Sequence, residues 1–306
     1  MVGNIKGLLK MERIKQALEM ARKEREKQQQ EGNLTGGQNS AFGKVVPVDS
    51  IAYKETKTVQ TPNNFLRNKH IISADDNRAY IEAYKILSTQ VLQRMQENKW
   101  NVLGVTSPTS NNGKSLTAIN LGISLAKEMD YTVLLVDADL RHPKIHSYFN
   151  LHPEKGLSDY LKEGVSIPEL LINPEKIPHF VILPGGKSLS NSSEMLGSPK
   201  MSKLVEELKN RYPSRIVIFD LPPLLSVADA IAFAPYVDAT LLVVEDGVTK
   251  EEEVKSSLEL LKSTNVIGTV LNKAGMCDED KSKIPGWFKV MLDMFKSGFS
   301  NRRFMR

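Results

Sequence analysis

Two stretches, Thr132–Asp137 (TVLLVD) and Arg215–Asp220 (RIVIFD), run apolar without interruption from a polar first residue to a closing aspartate. A strand with one wet face alternates. A strand that does not alternate is covered on both faces, as in parallel sheets flanked by helices. Further strand-like runs occupy 101–106, 180–184, 239–244 and 266–271, with helix-period segments at 114–129, 199–211 and 250–263. The pattern predicts an α/β fold with a doubly wound, mainly parallel sheet. Such sheets take ligands at the carboxyl ends of their strands. The chemically informative residues fall there: the loop after Thr106, then Asp137, Asp220 and Asn272.

The loop after Thr106 continues SPTSNNGKS into a segment where Leu116, Ile119, Ile123 and Ala126 recur at helical spacing. Strand, loop and helix around Gly-Lys-Ser is the context of a phosphate loop. Successive backbone N–H groups and a helix N-terminus offer partial positive charge to a polyphosphate. Ser110, Asn111, Asn112, Gly113, Lys114, Ser115 and Leu116 are the candidate nucleotide contacts. Lys114 reads as a charge contact to phosphate rather than a core residue, and Ser115 as a hydroxyl for Mg²⁺. The strict G-x-x-x-x-G-K-[ST] pattern fails at its first position, which is Pro108. Asn111 and Asn112 tolerate the left-handed backbone that such a loop needs.

Asp137 and Asp139 stand two residues apart in DADLRHP, so both can face one Mg²⁺–phosphate site. Phosphoryl transfer needs positioned charge and an acceptor for the hydroxyl proton. Asp137 is the candidate for that base or for the metal shell, with Asp139 in support. Arg141 either balances phosphate charge or pairs with Asp139. Asp220, closing an apolar strand ahead of Pro222-Pro223, is placed to hold Mg²⁺ directly or through water. The candidate metal set is therefore Ser115, Asp137 and Asp220. Asn272-Lys273-Ala274-Gly275 lacks the aspartate by which GTP-binding proteins read guanine, which favours ATP; Asn272 is an adenine contact or a turn residue. His142 and His146 lack the partners of a zinc site.

The chain has 306 residues and one cysteine, Cys277, so no intramolecular disulfide forms within it, which fits a reducing cytoplasm. No apolar run approaches the ~18 residues of a membrane span. Residues 281–306 carry seven basic residues and one acidic one, and residues 1–30 carry eight and four, around a mildly acidic body. A nucleic-acid binder would show a basic body instead. The expected organisation is a charged amphipathic helix over 1–27, a flexible linker and extended segment over 28–75, a catalytic domain over 76–275, and a basic amphipathic tail over 276–306. The domain opens with a helix from about Asp76 to Gln96 that carries Tyr84, Leu87, Val91 and Met95 on one face. In the tail, Trp287, Val290, Met291, Met294, Phe295 and Phe299 form an apolar stripe beside lysines and arginines, which suits an anionic membrane surface or a groove.

Together, TSPTSNNGKS, VLLVDADLRHP and IVIFDLPP resemble the Walker A, A′ and B motifs of bacterial protein-tyrosine kinases. These are the P-loop autokinases of capsule and exopolysaccharide synthesis, relatives of the MinD/ParA ATPases. EAYKILSTQVLQRM, GLSDYLKEG, LPGGKSLSNSSEMLGSPKM and GTVLNK resemble further segments of that family. ERIKQALEMARKER resembles the N-terminus of members encoded with exosortase-type polysaccharide systems. The resemblance implies a P-loop NTPase fold with helical extensions at both ends. It also implies ATP and Mg²⁺ as cofactors, a tyrosine hydroxyl as acceptor, and a cytoplasmic protein held at the inner membrane face by a membrane-anchored polysaccharide co-polymerase. Carried over by position, Lys114 and Ser115 hold the phosphates and Mg²⁺, Asp137 and Asp139 form the A′ pair, and Asp220 is the B acid.

Three features depart from the family pattern. Ser110-Asn111-Asn112-Gly113 replaces Pro-Gly-Glu-Gly. The E-x₂-R-x₂-R helix of ring assembly reads Glu82, Lys85 and Ser88, which removes the bidentate arginine contacts and puts a family-type homo-oligomeric ring in question. The last tyrosine is Tyr236, so the C-terminal tyrosine cluster is missing. Two alternatives therefore stand beside a kinase regulating polysaccharide synthesis and export. One is a partner-switching ATPase of MinD/ParA type, against which Thr109 stands where those ATPases carry a second lysine. The other is an ATP-binding scaffold with little phosphotransfer.

Overall fold

The computed structural model describes residues 57–72, 78–128, 131–211 and 214–274. The expected helix over 1–27, most of the linker, the amphipathic tail and Cys277 lie outside these residues.

Eight strands form one sheet: β1 (Lys57–Val59), β2 (Val102–Thr106), β3 (Thr132–Asp137), β4 (Ile172–Pro174), β5 (Phe180–Leu183), β6 (Arg215–Asp220), β7 (Ala239–Glu245) and β8 (Val266–Asn272). Their order is β1-β4-β5-β3-β6-β2-β7-β8, and every pairing is parallel except β4 with β5. The unbroken apolar runs have the predicted cause. Along β3, Val133 and Leu135 enter one core cluster, while Leu134 and Val136 enter the other on the opposite face. All six residues of β3 and of β6 are buried.

Two long helices cover most of the first face. Helix α2 (Arg78–Asn98) packs on α3 (Lys114–Ala126) and buries Tyr84, Leu87, Val91 and Met95, the stripe expected from the sequence. Between them the Ser88 and Ser124 hydroxyls lie 3.1 Å apart, and Ser88 also donates to the Lys85 carbonyl. Ser88 is therefore consumed in helix packing, whereas Glu82 and Lys85 stay exposed. The opposite face carries α8 (Pro199–Arg211), α10 (Glu251–Leu260) and the short helices α5 (Leu157–Glu163), α6 (Ile167–Leu170), α7 (Ser192–Leu196) and α9 (Asp229–Phe233).

The segment up to residue 75, expected to be extended or irregular, is more ordered than that from 57 onwards. β1 adds to the sheet beside β4, and α1 (Asn63–Asn68) follows it. Leu66, Ile71 and Ile72 enter the core. The Asn120 side chain fastens this segment, accepting from the Ile72 N–H at 3.0 Å and donating to the His70 carbonyl at 2.9 Å. A three-residue strand carries too little pattern to be read from sequence, and in β4 Pro174 argues against a strand. A further short helix, α4 (Ile145–Tyr148), follows β3. Among the described residues no helix is long and apolar enough to cross a membrane.

Because α2 is tied to the sheet through its buried stripe, Leu87→Ala should cost about 2–5 kcal/mol of stability. Thr89→Ala, on the exposed side of the same helix, should stay within about 0.5 kcal/mol. Urea unfolding of both variants checks this; equal losses would mean that the stripe is not what holds α2.

Candidate nucleotide site

The parallel order β3-β6-β2-β7-β8 sets five carboxyl ends side by side. Asp137 at the end of β3 is the Cα partner of Asp220 at the end of β6, and Glu245 on β7 is the partner of Asn272 on β8. Between these pairs the chain leaves β2, forms the loop 107–113 and enters α3.

Loop shape follows from two left-handed residues, Asn111 (φ 68°) and Gly113 (φ 90°), flanking Asn112. Alternation of this kind turns successive N–H groups to one side and carbonyls to the other. The carbonyls are taken up by the neighbouring strand ends: Asn272 Nδ2 donates to Asn112 O at 2.9 Å, and Lys273 Nζ donates to Asn111 O at 2.8 Å. Lys273 also pairs with Glu245 at 3.0 Å. Gly113 is required twice over, by its φ and because a Cβ there would lie 1.9 Å from Asn272 Nδ2. Asn272, read from sequence as an adenine contact or turn residue, thus braces the loop. Ser110 and Asn111 form the exposed tip, Asn112 is buried, and the Leu116 side chain packs against the core, which leaves its backbone N–H for a ligand.

Lys114 is the junction of the site. Its ammonium lies 2.9 Å from Asp139 and 3.4 Å from Asp220, and the residue is only 3% exposed. The Ser115 hydroxyl donates to the other oxygen of Asp220. Burial alone pulls the Lys114 pKa down, but Asp220 and Asp139 outweigh it and hold the pKa above the ordinary lysine value. The sequence expectation that Lys114 is not a core residue is corrected here. It is a buried counter-ion to two carboxylates, and removing one member of such a cluster costs about 3–5 kcal/mol.

Asp137 is held differently. One oxygen accepts from the Lys144 and Ile145 N–H groups, at 2.8 and 2.9 Å. The other oxygen, Oδ1, is buried with no hydrogen-bond partner. Burial, reinforced by the nearby Asp220, pushes the Asp137 pKa up to about 7. Burial also raises the pKa of Asp220, against the opposing pull of Lys114 and Ser115. The backbone of Gly185 closes over this acid: a Cβ there would lie 2.6 Å from Pro143 and 3.3 Å from the Asp137 carboxyl carbon.

The donor set fits a hard cation. Ser115 Oγ, the orphaned Asp137 oxygen and Asp220 are all oxygen donors, and Mg²⁺ is commonly held by one or two carboxylates together with substrate phosphates. Among the described residues no three His, Cys, Asp or Glu side chains cluster closely enough to hold an ion unaided.

Arg141 was expected to face phosphate or Asp139. Instead its guanidinium lies 3.3 Å from the fully buried Asp229, which also accepts from Ser193. Asp229 went unread because a lone acid beyond the Pro222-Pro223 exit has no pattern of its own. Thr249, too, carried no signal, yet its hydroxyl receives the Asn112 amide at 3.1 Å. His142 is exposed and His146 half-buried, without metal-binding company among the described residues.

A family described as an AAA domain matches residues 105–265. The tyrosine-protein kinase YwqD of Bacillus subtilis is 32% identical over 193 residues, covering 62% of this chain and 80% of that protein. The chain belongs to the bacterial tyrosine-protein kinase family. The tyrosine-protein kinase ptk of Acinetobacter johnsonii is 31% identical over 194 residues, which is 63% of this chain but only 26% of that protein. The kinase domain of Escherichia coli tyrosine kinase ETK superposes with a TM-score of 0.62 at 28% identity, covering 73% of this chain and 91% of that one. This member of the family thus corresponds to most of some relatives and to about a quarter of others. The A, A′ and B motifs read from its sequence all fall inside the matched span.

The Asp137 pKa carries a stability prediction. The folded state holds this proton up to about pH 7, whereas an unfolded aspartate releases it near its ordinary value of 3.8. Between those values the folded protein binds more protons, so this group's contribution to stability falls as pH rises. Asp137→Asn removes the ionisation and should raise the melting temperature of the nucleotide-free protein at pH 8 more than at pH 5. A difference independent of pH would mean that the buried carboxylate is not the titrating group.

Proposed function

We propose that this chain is an ATP- and Mg²⁺-dependent protein-tyrosine kinase that regulates exopolysaccharide or capsule synthesis and export. The observation that carries the reading is the convergence of Lys114, Ser115, Asp139 and Asp220 beneath a loop whose N–H groups are turned to one side, with the unpartnered oxygen of Asp137 beside them. Bound Mg²⁺ would supply neutralisation of the phosphate charge. The loop N–H groups and Lys114 bind and orient the phosphates. Ser115 and Asp220 hold the cation. Asp137 would use its unpartnered Oδ1 in one of two ways, joining Ser115 and Asp220 around the cation or, with a pKa of about 7, accepting a hydroxyl proton near neutral pH. Asp139 keeps Lys114 charged and oriented.

The acceptor tyrosine belongs to another protein or lies in this chain outside residues 275–306. Among the described tyrosines, the hydroxyls of Tyr80, Tyr131 and Tyr236 are engaged and Tyr84 is buried, whereas Tyr148 and Tyr160 are partly exposed, and Tyr148 lies close enough to Asp220 and Lys114 to feel their charge. Residues 275–306 contain no tyrosine. The proposed partner is a membrane-anchored co-polymerase, and peripheral placement at the inner membrane face follows from that contact. The basic tail is the second proposed membrane contact. The partner-switching ATPase is less favoured, since Thr109 supplies no lysine and is itself hydrogen-bonded to Asn112.

Incubation with Mg²⁺ and γ-labelled ATP, with and without the cytoplasmic segment of a candidate co-polymerase, tests this. Label on protein tyrosine is expected, abolished by Lys114→Met and by EDTA. Because Lys114 is also a counter-ion, the variant's fold should be confirmed by circular dichroism. Free phosphate without labelled protein would favour the partner-switching ATPase, and neither product would favour the scaffold. Asp137→Ala should lower turnover more than ATP affinity, since a base or metal ligand acts mainly in the transition state. Equal losses would assign Asp137 a structural role.

A further inference from the structure

Asn112 is 1% exposed and spends both ends of its amide. The oxygen accepts from the Thr109 N–H and the Thr109 hydroxyl, each at 3.0 Å. The backbone donor fixes which end is oxygen. The NH₂ end therefore points away from the loop, and it donates to Thr249 Oγ1 at 3.1 Å. Thr249 is not a free surface hydroxyl. Its oxygen also accepts from the Glu245 N–H at 2.8 Å, and its own N–H returns to the Glu245 carbonyl at 3.0 Å. The turn from Glu245 to Thr249 is pinned in its own right, since the Asp246 N–H donates to the Asn272 carbonyl at 2.9 Å.

The geometry assigns Thr249 as a positioning residue for nucleotide binding. Through the Asn112 amide it fixes the phosphate loop to the carboxyl end of β7, so that the left-handed residues on either side of Asn112 keep their shape before phosphate arrives. This rests on reading 107–115 as the phosphate loop. The physical need is specific to this loop. Pro108 replaces its first glycine and two non-glycine residues precede Gly113, so Asn111 holds a φ of 68° that costs a non-glycine residue energy. A side-chain brace at the adjacent residue offsets that cost. The amide at position 112 serves both ends, accepting from Thr109 and donating to Thr249, which an apolar side chain cannot do.

The test uses the full chain with Mg²⁺ and a fluorescent N-methylanthraniloyl ATP, alongside steady-state kinetics. Thr249→Val keeps the side-chain shape and removes the acceptor. It should raise the dissociation constant and the KM for ATP about three- to tenfold, the range of one neutral hydrogen bond, with kcat changed less than about twofold. Thr249→Ser should restore wild-type binding. Asn112→Ala, which removes the contacts to both Thr249 and Thr109, should lose at least as much as Thr249→Val, and adding Thr249→Val to it should cost nothing further. Thr249→Val also removes the partner of the Glu245 N–H, so it should lower the nucleotide-free melting temperature modestly, and Thr249→Ser should restore it. Wild-type affinity in Thr249→Val, no rescue by serine, or additive losses would overturn the inference while leaving the phosphate loop intact. A wild-type chain that binds no nucleotide would instead sink the functional reading and this inference with it.

Discussion

The site depends on one buried ammonium. Lys114 joins the phosphate loop, the DADL turn through Asp139 and the β6 terminus through Asp220. Three buried carboxylates, Asp137, Asp139 and Asp220, meet at the ends of β3 and β6, where burial raises the pKa of Asp137 and of Asp220 and a neighbouring carboxylate adds to it, Asp220 for Asp137 and Asp139 for Asp220. One cation cannot satisfy all three. Lys114 is committed to Asp139 and Asp220, and Asp137 is left with a proton affinity shifted to about 7 and an oxygen without a partner. A site with surplus negative charge of this kind favours an arriving divalent cation. A polyphosphate that comes with the cation competes for the same ammonium.

Around that junction the scaffold does little that is unusual. Parallel pairing of β3, β6, β2, β7 and β8 sets the candidate side chains in a row at the strand ends, and β3, β6 and β2 are buried along their whole length. The loop itself is stiffened from outside, by Asn272 and Lys273 at the end of β8 and by Thr249 after β7. These contacts use the loop's carbonyls and one buried amide; of the loop's N–H groups, that of Thr109 is taken by Asn112.

The core of the fold was legible because its physics is local and repetitive. Unbroken apolar strands ending in Asp137 and Asp220, helices of 3.6 period between them, and Gly-Lys-Ser at a strand-to-helix turn each carry their own signal. The strand limits of β3 and β6 and the buried stripe of α2 were readable to the residue. Contacts made across the fold were not readable. Nothing in Thr249 or Asp229 distinguishes it from other surface-prone polar residues until the topology brings it beside Asn112 or Arg141. The segment 57–72 was underestimated for a similar reason: its order comes from β4 and from Asn120, 48 residues beyond Ile72. Lys114 opens α3 directly after the loop, but its burial against two acids depends on the register of β3 and β6.

The most direct test of this account is a crystal structure of the full chain with Mg²⁺ and a non-hydrolysable ATP analogue. The account predicts phosphates cradled by the backbone of residues 107–115, the metal in contact with Ser115, and Lys114 drawn off Asp139 towards the phosphates. Nucleotide bound elsewhere, or bound to this loop with Lys114 still bridging Asp139 and Asp220, would contradict it.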